Sequence, residues 1–251
     1  MDLEKFVRYR ASTVQADKFS KTISYGAGTL SRLLVLASNG RDSDLASSIS
    51  MARYVTRFTG TFEAYEAIKN GSWCYGDDDK HLQQIVKIQA YSMLLYYPLE
   101  NISYVGYMAP TLVKMDANWF MHQSCRAWTA YVALDLYANQ LRIANLTKRE
   151  RKLLADNDMP AEEREKELAT IRHRRKELYF VQFRNACFFP TCLHWSLENG
   201  LIPGTVHESS SHFEASHSQL DCLENNAEPL VQVLCFSEAI VGFWRSWKNF
   251  S

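Results

Sequence analysis

The chain has 251 residues, its 28 Lys+Arg balance 28 Asp+Glu, and 47% of its residues are apolar. That length suits one large domain or two small ones with a sizeable core. The apolar fraction excludes disorder, and zero net charge argues against general nucleic-acid binding, which draws its affinity from clustered cations. With only 10 Gly and 6 Pro, the chain lacks the turn residues of a β-sandwich. Aromatic residues are plentiful, yet no run of roughly 18 uncharged apolar residues marks an ordinary transmembrane helix.

The chain opens on Met1-Asp-Leu-Glu-Lys5, without the apolar stretch of a secretory signal. A reducing compartment and free thiols are therefore expected for the six cysteines, with Cys187 and Cys192 acting as small hydrophobes. A first helix begins near Asp2. A second runs from about Ala16 to Ala37, where the small residues Gly26-Ala-Gly28 allow close helix packing, and Asn39-Gly40 ends it. A third spans about Asp42 to Lys69 and stops at Asn70-Gly71. A loop from Trp73 to Asp79 precedes a fourth helix, about Lys80 to Tyr107, which Pro98 should kink or interrupt. Asp116 is a plausible N-cap for a fifth, Ala117 to about Leu154.

Composition then changes. Residues 148–177 are dense in mixed charge, include Pro160 and hold no aromatic residue, which predicts one or two solvated helices. Acidic residues interrupt the basic cluster Arg172-His-Arg-Arg-Lys176, so it is not read as a nucleic-acid patch. Leu178 to Trp195 is apolar and aromatic but carries Arg184, Asn185, Pro190 and His194, so it approaches membrane-spanning length while staying too polar. His207 to Asn226 reads as a polar loop, and Leu230 to Trp247 as a last apolar stretch containing Glu238. Strand signals are weak throughout, so the fold class is all-α.

No catalytic constellation stands out, and the chain is read as not an enzyme, with no cofactor and no metal. His207, His212, His217 and Cys222 recur every five residues, a spacing that scatters them around a helix. The sharper signal is amphipathic. Met51, Tyr54, Val55, Phe58, Phe62 and Tyr65 fall within an arc of about 100° on the third helix, with Arg53, Arg57 and Gly60 opposite. An aromatic stripe backed by cations suits a membrane interface. A core-facing helix of a bundle shows the same periodicity, so pattern alone leaves both readings open.

Several ordered segments resemble the peroxisomal membrane protein 11 (peroxin-11) family, in particular its gamma-type branch. These are Ala16-Asp-Lys18 followed by Lys21, Tyr25-Gly26 and Ser31-Arg-Leu-Leu34; Ala52-Arg53 with Arg57-Phe58; Leu95-Tyr-Tyr-Pro-Leu-Glu100; and Leu193-His-Trp195 followed by Gly200-Leu-Ile-Pro203. The resemblance spans roughly residues 3–203. The chain departs from the family pattern over about 205–235, and Ser237 to Trp247 looks like its resumption.

The resemblance implies a protein of the peroxisomal membrane that promotes elongation and division of peroxisomes. It implies a membrane-associated helical bundle with an interfacial amphipathic helix, 42–70, and interrupted apolar C-terminal helices. The stripe residues Met51, Tyr54, Val55, Phe58, Phe62 and Tyr65 would enter the cytosolic leaflet, with Arg53 and Arg57 near anionic lipid head groups. Homo-oligomerisation and contact with the peroxisome fission machinery would follow. The implied organisation is an N-terminal helical region, 1–147, the charged segment, 148–177, and a membrane-associated C-terminal region, 178–251. Two other readings remain. Asp135, Arg184, Asn185 and Glu238 inside apolar helices are consistent with a metabolite pore, and the weak hydropathy with a soluble helical adaptor.

Overall fold

A computed structural model of the chain describes residues 17–26, 52–156, 159–198, 200–201 and 229–249. Met51, the helix expected near Asp2, the His207–Cys222 series and most of the 205–235 departure lie outside the described residues. The elements are α1 (17–26), α2 (52–57), α3 (Gly60–Asn70), a 3₁₀ turn (Ser72–Cys74), α4 (Lys80–Met108), α5 (Ala117–Ala155), α6 (Ala161–Ser196) and α7 (Pro229–Asn249). No strand occurs among the described residues, and the fold is all-α.

Local chemistry accounts for most of the ends. The Asp79 carboxylate accepts the backbone N–H groups of His81 and Leu82, and Asp116 that of Trp119 at 3.0 Å, so both helices begin on a side-chain cap. Gly71 closes α3 in the left-handed region, φ 67°, where a residue with a Cβ is strained.

Two expectations change. The third helix is not continuous: its described part splits at Phe58-Thr59, where the N–H groups of Thr61 and Phe62 reach back only three residues. The hydroxyls of Thr56 and Thr59 donate to the carbonyls of Arg53 and Thr56, a back-bonding that bends helices. Conversely, Pro98 does not interrupt α4. The buried Tyr96 and Glu100 on either side hold the helix through a site that costs about 3 kcal/mol in isolation. Pro190 likewise lies inside α6.

α5, about 58 Å long at 1.5 Å per residue, is the axis against which α4 and α6 pack; α3 covers α4, and α7 lies on α6. The 148–177 stretch forms the end of α5 and the first half of α6. There Leu153, Leu168 and Ile171 make a small separate core, and Arg149–Glu167 and Arg175–Glu150 pairs dress its surface. Much of the aromatic content converges on Trp128 of α5. Its ring stacks on Tyr96 at 5.9 Å and Trp195 at 6.0 Å and meets Phe188 edge-on at 4.9 Å. Gly26 at the end of α1 comes close enough to α7 that a Cβ would lie 3.0 Å from Phe236.

A polar chain threads the same bundle. Gln89 of α4 donates to Asp135 of α5 at 3.0 Å, and Asn185 of α6 donates to its other oxygen. Arg184 donates to Asn185 and faces Glu238 of α7, which in turn pairs with Lys21 of α1. The four polar residues singled out in the apolar segments therefore satisfy one another between helices. Replacing Asp135 with alanine orphans two buried amides, so Asp135→Ala is expected to lose about 2–4 kcal/mol of stability. Asp135→Asn, which keeps one acceptor, should lose less. Chemical denaturation followed by circular dichroism measures both, and a loss for the alanine variant below about 1 kcal/mol contradicts this account.

Candidate membrane-interface site

The stripe and its arginines part company across α2 and α3. Val55 is 56% exposed, Phe58 45%, Phe62 63% and Tyr65 59%. Phe58 and Phe62 meet each other edge-to-face at 5.9 Å on this outer side. Tyr54 is half-buried and stacks on Tyr104 of α4 at 6.0 Å. The opposite side faces inward: Arg53, Ala64 and Ala67 are buried, and a Cβ on Gly60 would lie 2.2 Å from the Tyr97 ring. Small residues let α3 approach α4 closely, and the bulky ones are left outside.

Arg53 and Arg57 are not placed for lipid head groups. Arg53 is 5% exposed and donates to Asp17 of α1 at 2.9 Å. Arg57 pairs with the buried Glu100 of α4 at 2.8 Å and donates to the Tyr96 hydroxyl at 3.0 Å, while that hydroxyl donates to Glu100. The Arg57 guanidinium also lies 4.9 Å from the Tyr54 ring centre. The physical reason is compensation: a guanidinium on the face that packs must find an anion, and α1 and α4 each supply one.

Asp17, Glu100 and Tyr96 were absent from the sequence-derived site. Glu100 carried a signal, since an acidic residue within an apolar helix demands a partner. Nothing local identifies that partner as Arg57.

Electrostatics follow the geometry. Burial pushes the Glu100 carboxyl above its usual range, against the pull of Arg57. Burial also acts to raise Asp17, but Arg53 and Arg57 outweigh it and hold the carboxyl below its ordinary 3.8. At the far side of α1, burial acts to raise Glu238, and Lys21 and Arg184 bring it below its ordinary 4.5.

Comparison with family models matches residues 3–205 to the peroxisomal biogenesis factor 11 (PEX11) family. The chain belongs to the PEX11 family. It is thus a peroxisomal biogenesis factor, and its place is the peroxisomal membrane. No curated protein and no solved structure matches it. The PEX11 match ends at residue 205, the start of the segment read from sequence as a departure. α7 lies beyond that limit and still docks on α1, where Thr22 donates to the Ala239 carbonyl at 3.2 Å and Phe19 meets Phe243 at 5.8 Å. None of the described helices in this PEX11 protein is long and apolar enough to cross a membrane.

The lowered Asp17 and Glu238 values set a pH response. Each contribution is complete above the ordinary carboxylate value and disappears as pH falls through the lower folded value; Glu100, raised in the fold, acts in the opposite sense. As pH falls through those lowered values, α1 is expected to lose its ion pairs at Asp17, its first residue, and at Lys21, near its middle. Hydrogen exchange over 17–26 should accelerate there before exchange in α5. Unchanged protection of 17–26 contradicts the assignment.

Proposed function

We propose that this chain elongates the peroxisomal membrane and promotes peroxisome division by seating the outer face of 52–70 in the cytosolic leaflet. The observation that carries this reading is the outward position of Val55, Phe58, Phe62 and Tyr65. A bundle that only needed a core would turn these side chains inward. α4, packed against α3, adds exposed Ile88, Tyr91 and Leu95, which recur at helical spacing.

Full burial of a phenylalanine is worth about 1.5–3 kcal/mol. A few partly inserted side chains therefore give reversible adsorption to an interface rather than permanent anchoring. Area added to one leaflet bends it. Self-association of bent patches and recruitment of fission proteins complete the proposal, with the charged ends of α5 and α6 standing in water and the C-terminal region lying along the membrane. Anionic lipid remains the proposed surface, but Arg53 and Arg57 are held by carboxylates. The attraction then rests on exposed cations such as Lys69, and it should depend on salt less steeply than a stripe backed by free arginines.

Phe58→Glu and Phe62→Glu separate this function from folding, because both side chains are already exposed. Each is expected to weaken flotation of the purified protein with anionic vesicles by about tenfold or more. In cells that lack the native protein, the double variant should fail to restore elongated peroxisomes and peroxisome number. Vesicle binding and peroxisome number equal to wild type, with an unchanged circular dichroism spectrum, sink the proposal.

A further inference from the structure

A cavity of about 580 Å³ opens between α1, α5, α6 and α7, on residues that include none of the outer stripe. Its volume suits a small molecule or a lipid head group. Five cations reach its wall: Lys18 from α1, Arg142 from α5, Arg174 and Arg184 from α6, and Arg245 from α7. Only two carboxylates, Asp135 and Glu177, stand beside them, and Glu177 pairs with Arg245 at 2.6 Å. The anions just behind the wall are shared. Asp77 serves both Arg142 at 2.8 Å and Arg174 at 3.3 Å, and Glu238 serves both Lys21 and, at 3.7 Å, Arg184. With those groups included, six cations face four carboxylates, counted from the wall and its ion pairs.

The excess is visible in individual groups. Burial and the neighbouring Arg184 and Arg245 hold the Lys18 ammonium below its ordinary value, although Glu238 and Asp17 pull the other way. Converging guanidinium groups with an excess of positive charge match a phosphate better than a carboxylate. A phosphate brings more negative charge and three acceptor oxygens.

We propose that this cavity binds a phosphate-bearing anion through Arg174, Arg184, Arg245 and Lys18, and that the bound anion ties α1 and α7 to the α5–α6 pair. The phosphate is carried either by a soluble molecule or by a lipid head group. The proposal is independent of the membrane face on 52–70.

The test uses the full-length protein in detergent micelles, titrated calorimetrically with inositol trisphosphate. Saturable binding is expected, weakened at least tenfold in the double variant Arg184→Gln/Arg245→Gln and unchanged in Lys152→Gln, which removes an exposed cation outside the cavity. Competition by phosphatidylcholine vesicles containing phosphatidylinositol phosphate assigns the site to a lipid head group. Binding of the soluble probe without such competition assigns it to a free phosphate compound. Absence of binding by either probe overturns the proposal, as does binding that survives the double variant or falls equally in Lys152→Gln. Should the double variant fail to fold, Arg174→Gln, whose side chain is 43% exposed, is to weaken binding at least threefold. Inositol trisphosphate must also slow hydrogen exchange over 17–26 and 238–246 in the unaltered protein, and no slowing overturns the proposal without any variant.

Discussion

A guanidinium moved out of water keeps its charge and must meet an anion, and Arg57 meets Glu100. Breaking such a pair by removing one partner leaves an uncompensated buried charge, so the pair acts as a strong constraint on how α2 and α3 lie against α4. Arg53 with Asp17 adds a second constraint from α1. With both arginines turned inward, and Gly60, Ala64 and Ala67 allowing close approach on the same side, the aromatic side has only the outside left. The outward stripe is a consequence of the inner contacts. It leaves apolar area whose burial remains unrealised in the single chain, the physical basis for reading 52–70 as a surface made for a membrane.

The remainder of the bundle is built to hold that arrangement. Trp128 joins the cluster around Met93 and Tyr96 to the cluster around Phe188 and Cys192, so α3, α4, α5 and α6 share one aromatic centre. Beside it the polar chain from Gln89 through Asp135, Asn185, Arg184 and Glu238 to Lys21 crosses five helices. Apolar contacts tolerate sliding, whereas a hydrogen-bonded chain has few satisfied registers. The two together position the helices and fix their register.

Charge, too, acquires meaning only by location. A formal charge of zero averages three places with different chemistry: compensated pairs under α2, a mixed and wet tip on α5 and α6, and an excess of cations around the α1–α7 cavity.

The sequence by itself determined what short-range physics determines. Asp79 and Asp116 start helices, Gly71 ends one, and the fifth helix is found where its cap and pattern place it. A period of 3.6 also states which residues share a face, so the grouping of Val55, Phe58, Phe62 and Tyr65 was legible. Ordered short motifs sufficed for the family. What that face meets was not legible, because burial depends on neighbours remote in sequence: Asp17 lies 36 residues from Arg53, and Glu100 is on another helix. For the same reason the resemblance placed Arg53 and Arg57 at a lipid surface, and the sequence left open whether Pro98 kinks or interrupts its helix and took 42–69 as continuous. Tertiary structure decided each of these, since the partners of the arginines, the packing around Tyr96 and Glu100, and a cavity shared by four helices exist only once the helices are assembled.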